Sequence, residues 1–128
     1  MVAALDTNIV VDLLRNQNEA PVKILTYTAL YLPVTVCGEL LFGAALSAKP
    51  AENKRDVLLF IGKCTILEYD LSIAASYAEV RKNLQAKGKP IPENDIWIAA
   101  AAIAFGLKLI TRDQHFSNIG LLNAEFWK

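Results

Sequence analysis

Four acids in this chain, Asp6, Glu39, Asp95 and Asp113, stand where a carboxylate is costly unless a cation meets it. Asp6 closes the apolar run VAAL, and Asp113 follows KLIT and Arg112. Glu39 lies within CGELLFGA, where its neighbours at helical spacing are Val36, Phe42, Gly43 and Leu46. That spacing predicts an inward face, on which an ionised, unpaired Glu is destabilising by several kcal/mol. Asp95 precedes Ile98, Ala99 and Ala102 on one face of an Ala-rich segment. No Lys or Arg lies near Glu39 in sequence to neutralise it. Hard divalent cations such as Mg²⁺ or Mn²⁺ prefer oxygen ligands of this kind. An ion so held lowers the pKa of water and offsets charge on a phosphoryl group, the two needs of phosphodiester hydrolysis.

Each acid also has a plain structural use. Asp6 and Asp95 suit helix N-caps, and Asp113 suits a turn. Glu39 is the hardest to explain that way. What favours a shared site is position. Ligands of an open parallel sheet bind at the carboxyl ends of its strands. Asp6 and Asp113 each follow a predicted strand, and Glu39 and Asp95 open helices fed from the same edge.

The elements that must do this positioning are legible as an alternation. Val2 to Leu5 reads as a buried strand, and Asn8 to Arg15 carries apolar residues at helical spacing. Asn18 and Pro21 predict a second helix, with Asn18 as its cap. Leu30 to Val36 is rich in strand formers, and Pro33 predicts that the strand begins at about Val34. Helices are expected from Cys37 to Leu46 and from Glu52 to Lys63, with Pro50 separating them. Thr65 to Tyr69 reads as a strand, followed by a long helix from Asp70-Leu71-Ser72 to about Lys87, which Gly88 ends. Asn94 or Asp95 opens a helix to Phe105. Lys108 to Thr111 is a strand, and a weak last one lies near Phe126-Trp127. The pattern predicts one α/β domain over residues 1–128, with a parallel sheet and no repeats or linkers.

Composition narrows the classes. The hydrophobic fraction is 54% and the mean hydropathy +0.31, which predicts a sheet covered on both faces and apolar surface buried against a partner. The longest apolar run, Ile96 to Phe105, is about half of the roughly 20 residues that span a bilayer. The opening MVAALD lacks a basic segment and a cleavage pattern, so no signal peptide is expected. Cys37 and Cys64 form no metal-binding pattern and read as reduced thiols of a cytoplasmic protein. With 13 basic and 13 acidic residues the net charge is zero. Nucleic-acid binding by bulk charge alone is therefore disfavoured, although basic residues predominate once four acids are assigned to metal. Arg81, Lys82, Lys87 and Lys89 concentrate positive charge before Asp95, and a solvated helix face is its commoner meaning.

Taken together, LDTNIVVDLL with Asp6, CGELLFGA with Glu39, ENDIWIAAAA with Asp95 and LITRDQHF with Asp113 resemble the PIN-domain family, and within it VapC-type toxins of toxin–antitoxin modules. The likeness runs nearly end to end. It implies a parallel sheet of about five strands flanked by helices, one or two Mg²⁺ or Mn²⁺ ions held by Asp6, Glu39, Asp95 and Asp113, and endonucleolytic cleavage of RNA. It implies 5′-phosphate and 3′-hydroxyl products, a homodimer, and an antitoxin whose tail lies across the acidic groove. Thr7, Asn8 and Thr111 match positions that line such sites and are expected to meet substrate, although Thr7 and Asn8 suit capping of the first helix equally well. Arg112 reads as a substrate-binding charge at the site mouth or as a solvated one. His115, the only histidine, receives no catalytic role from the resemblance; packing or a turn is expected. The tail FSNIGLLNAEFWK lacks the Pro-Gly common in relatives, which leaves the geometry of the last strand open.

Two other classes fit parts of the pattern. A phosphoacceptor receiver domain has similar length and acids at strand ends, but needs an acidic pair after its first strand, where Leu5-Asp6-Thr7 offers none. A PIN-like binding module without catalysis would tolerate loss of the acids, and all four are present. Cleavage of RNA with Mn²⁺ separates it from the nuclease.

Overall fold

The computed structural model describes residues 1–128. Five strands, β1 (Val2–Leu5), β2 (Ala29–Pro33), β3 (Thr65–Leu67), β4 (Leu109–Thr111) and β5 (Ala124–Phe126), form one sheet ordered β3-β2-β1-β4-β5. Every pairing is parallel, so both faces need cover. Six helices provide it: α1 (Thr7–Arg15), α2 (Ala20–Lys23), α3 (Val34–Leu46), α4 (Pro50–Ile61), α5 (Leu71–Lys87) and α6 (Glu93–Ala104). No helix is long and apolar enough to cross a membrane.

The chain runs outward from β1 through β2 to β3, then returns to place β4 on the other side of β1. The order of strands therefore reverses between β1 and β4, and a crevice opens there beyond their carboxyl ends. Asp6 and Asp113 lie on its two sides. The core beneath is dense and small-residued at this point. Ala3, Ala4 and Leu5 of β1, Leu109 and Ile110 of β4, and Ala99 to Ala102 of α6 are all fully buried. Four consecutive alanines bring the backbone of α6 close to the layers around it.

An aromatic layer anchors the first turns of α6. Trp97 is held between Tyr77 of α5, with ring centroids 3.9 Å apart, and Tyr69, at 5.7 Å. The Tyr69 hydroxyl donates to Thr35 Oγ1 at 2.6 Å, tying this stack to the first turn of α3. One side chain thus couples the helix that carries Asp95 to the helix that carries Glu39.

Several expected boundaries shift, for physical reasons. The second strand ends at Pro33 instead of beginning near Val34, and α3 starts three residues before Cys37. Pro33 lies two residues beyond the last β1 partner, Tyr31, where the ladder on that side has ended and a missing N–H is tolerated. The β-branched Val34, Thr35 and Val36 then enter a helix, tertiary packing overriding their local preference. Pro50 opens α4 rather than separating it from its neighbour. Asn18 does not cap α2; it adopts a left-handed conformation (φ 58°), and Glu19 occupies the cap position. The last strand forms without Pro-Gly, in register Thr111 with Phe126.

Gly88 ends α5 as expected, with φ +63° and its N–H bonded to the carbonyls of Leu84 and Gln85. A Cβ there would meet nothing within 4 Å. Gly88→Ala should therefore lose about 1 kcal/mol by backbone strain alone, measured by urea unfolding. Unchanged stability would show that the left-handed cap is not required.

Candidate active site

The four acids line one cleft of about 730 Å³, together with Thr7, Asn8 and Arg112. Asp6 leaves β1 as the N-cap of α1, its Oδ1 accepting the Thr7 N–H at 2.8 Å. Its Oδ2 accepts the Thr111 hydroxyl at 2.7 Å and the Asn8 amide at 3.3 Å. The capping and site readings of Asp6 are therefore one and the same. Only 4% exposed, it has its pKa pushed from 3.8 up to about 6. Burial is the main cause; its hydrogen bonds oppose the rise, and the charges of Asp95 and Glu39 add to it.

Glu39 is half-buried, its Oε1 accepting the Thr7 hydroxyl at 2.6 Å. The inward face expected around it is only partly so: Phe42 and Leu46 are 65% and 71% exposed. Glu39 faces the cleft at the margin of the core. Asp95 sits in the first turn of α6, yet no side chain caps that helix, whose cap position is Pro92. The capping use of Asp95 is therefore absent. Burial raises its pKa, His115 lowers it, and the charges of Glu39 and Asp113 raise it again. Asp113 is exposed at the exit of β4.

The polar residues expected to meet substrate divide into two kinds. Thr111 is fully buried and lies behind the acids. Its hydroxyl donates to Asp6 and accepts the Asp113 N–H at 3.0 Å, so one oxygen sets the position of both. Asn8 bridges in the same sense, donating to Asp6 and accepting the Arg112 N–H at 3.1 Å. Thr7 and Arg112 reach the cleft surface. Arg112 is held there by Asp12, with Nε 2.7 Å from Oδ2 in a contact poorly aligned for hydrogen bonding, and an NH2 bond to Oδ1 of 3.3 Å. Of the basic cluster, Arg81 pairs with Glu93 and Tyr77, and Lys87 donates to the Asn118 carbonyl.

His115 lies in a turn, as expected, but its ring also reaches the acids. The turn Gln114–Asn118 carries its ring between two acids, with Nε2 2.8 Å from Asp95 Oδ2 and Nδ1 3.3 Å from Asp113 Oδ1. Nothing in its spacing signalled this, because the turn after β4 decides where it points. Asp12 was also missed, and here a signal existed. It lies one helical turn after Asn8, an acid on the buried side of an apolar helix.

Residues 3–122 match the family model described as PIN domain. The chain belongs to the PIN-domain family. Among curated PIN relatives, ribonuclease VapC2 of Haemophilus influenzae is 33% identical, with 96% of each chain covered. The tRNA(fMet)-specific endonuclease VapC of Shigella flexneri is 28% identical over the same shares. Among solved structures, VapBC2 of Rickettsia felis bound to a DNA fragment from its promoter superposes with a TM-score of 0.91 at 27% identity, covering both chains fully. The PIN fold expected from the sequence, one parallel five-stranded sheet flanked by helices, is the fold observed.

The donor set fits the divalent ion that PIN nucleases employ. Oxygens of Asp95 and Asp113 and a ring nitrogen of His115 lie within 4.8 Å of one another, close enough to share one ion. Asp6 and Glu39 line the same cleft, and the charges of both oppose that of Asp95, as does that of Asp113. A divalent cation relieves that repulsion directly.

Proposed function

We propose that this PIN protein is a metal-dependent endoribonuclease that acts as the toxin of a toxin–antitoxin module in the cytoplasm. The observation that carries the reading is the convergence of Asp6, Glu39, Asp95 and Asp113 on one cleft at the β1/β4 reversal. Relatives named ribonuclease and tRNA endonuclease, matched over nearly the whole chain, support the same class.

Asp6, Glu39, Asp95 and Asp113 would hold one or two Mg²⁺ or Mn²⁺ ions. When bound, such ions ease the formation of hydroxide from water and offset charge on the phosphoryl oxygens. The protein supplies the rest. Thr111, Asn8 and the Thr7 N–H fix Asp6 by three hydrogen bonds, so its oxygens are aimed before substrate arrives. Thr7 does the same for Glu39. Arg112, anchored by Asp12, presents its open N–H groups to an RNA phosphate at the cleft wall.

The partners follow the same reading. The solved neighbours are toxin–antitoxin complexes, which supports an antitoxin for this chain, and a homodimer fits its apolar excess. Phe42, Leu46, Leu58 and Leu59 are exposed on α3 and α4 and would be buried by such contacts.

Induction of the protein in cells, followed by sequencing of RNA 5′-phosphate ends, tests the function. New ends at defined positions are expected for the parent, and none above background for Asp95→Asn. Identical end profiles for the two proteins would remove the nuclease reading and leave a binding module.

A further inference from the structure

We infer that His115 is a nitrogen ligand of the metal centre, forming with Asp95 and Asp113 a subsite that favours Mn²⁺ over Mg²⁺. The inference rests on the metal-dependent reading above and adds to its ligands a residue that neither the sequence pattern nor the family resemblance supplies.

The four acids are not equivalent in what already occupies them. Asp6 accepts three protein hydrogen bonds and Glu39 one short one from Thr7. Asp95 and Asp113 have a single side-chain partner in common, the imidazole of His115. Two carboxylates from different elements therefore converge on one ring, Asp95 at Nε2 and Asp113 at Nδ1. Phe116, fully buried, packs against it with centroids 4.9 Å apart. The backbone N–H of Asp113 is fixed in turn by Thr111.

The spacing suits coordination. Adjacent ligands of an octahedral ion bound at about 2.1 Å lie roughly 3 Å apart. The Nε2 to Asp95 Oδ2 separation is 2.8 Å, and all three residues offer ligand atoms within 4.8 Å of one another. The charge is also right, because a neutral imidazole and two carboxylates balance one divalent ion. Ligand type sets the preference. Mg²⁺ is a hard ion that binds oxygen and water, whereas imidazole is a ligand of transition metals. A site with one nitrogen donor therefore discriminates, where an all-carboxylate site would not.

Mn²⁺ itself is the probe. Electron spin-echo spectroscopy of the Mn²⁺-loaded protein should show modulation from a directly coordinated ¹⁴N, absent in His115→Gln. Calorimetric titration should show His115→Gln weakening Mn²⁺ binding by roughly tenfold or more while Mg²⁺ binding changes by less than about threefold. Mn²⁺ bound without nitrogen coupling in the parent protein overturns the inference and leaves the nuclease reading standing; so does equal weakening of both ions, which would make His115 a residue that orients the acids. No Mn²⁺ binding at all overturns both readings. The parent spectrum decides the point even if the variant folds poorly.

Discussion

Asp6→Asn is expected to abolish RNA cleavage while making the metal-free protein more stable at pH 7.5. The two effects have one cause. Asp6 is nearly fully buried and its pKa stands at about 6 against an ordinary 3.8. The folded state therefore binds a proton at this site more tightly than the unfolded chain does. For an acid shifted upward, ionisation works against folding. The penalty is absent below pH 3.8, grows between 3.8 and 6, and is complete above 6. Its size is at most about 3 kcal/mol, since each tenfold gain in proton affinity on folding corresponds to about 1.4 kcal/mol.

Asn keeps the shape and carries no charge. Its single oxygen can accept at most two of the three hydrogen bonds, those from Thr111 and Asn8, while its NH2 faces the Thr7 N–H, so part of the gain is lost. The variant should gain about 1–2 kcal/mol in metal-free buffer, a rise in Tm on the order of 5 °C. It should lose kcat/KM by roughly a thousandfold or more, since its neutral oxygen is a poor partner for a divalent ion. The parent protein without metal should become more stable by about 1 kcal/mol as the pH falls from 7 to 5, and the variant should show less of that slope. Asp95 adds a slope of the same sign, because its pKa is also raised by burial. Adding Mn²⁺ should stabilise the parent at pH 7.5 and the variant far less. Thermal melts across pH, with and without Mn²⁺, measure all of this. An Asp6→Asn protein that melts below the metal-free parent would show that the carboxylate is held by its hydrogen bonds more strongly than burial opposes it.

Much of this site could be read before any coordinates, for a reason specific to parallel sheets. Residues that end strands share an edge whatever lies between them, so Asp6 and Asp113 are brought together by topology although they are far apart in the chain. Helix-opening residues after those strands share the same edge. Hydrophobic runs therefore locate Asp95, and Glu39 by its cost on an apolar helix, even though Phe42 and Leu46 prove exposed. Boundaries were less accessible. Val34-Thr35-Val36 prefers a strand locally, and only the end of the β1 ladder at Tyr31 and the Tyr69–Thr35 bond explain its helix. Least accessible were partners chosen by side-chain direction. His115 follows Asp113 by two residues, and no periodicity says that its ring turns back toward Asp95 rather than outward. Thr111 matched a position expected to meet substrate, yet strand alternation puts its hydroxyl beneath Asp6.

The same limit explains Arg112, which is the basis of the second large effect. In sequence it reads as a charge at the site mouth; in the structure it neutralises Asp12, whose side chain is 2% exposed. The pair is unequal. The Arg112 side chain is 39% exposed and can turn into water if its partner is lost, whereas Asp12 has no such escape. Arg112→Ala should therefore destabilise by about 2–3 kcal/mol, less than the roughly 3–5 kcal/mol for breaking a fully buried pair because the Arg112 side chain is part-solvated. Asp12→Asn should lose only about 1 kcal/mol. The double variant should be more stable than Arg112→Ala alone, because no buried charge then remains. Urea unfolding of the four proteins gives the coupling energy. Equal losses for the two single variants, adding without interaction in the double, would show that Asp12 does not depend on Arg112. Activity should follow the pair rather than the charge alone, since the Arg112 backbone also donates to Asn8, which holds Asp6. Arg112→Lys keeps the charge but not the two-pronged contact, and so should recover part of the stability and less of the cleavage rate.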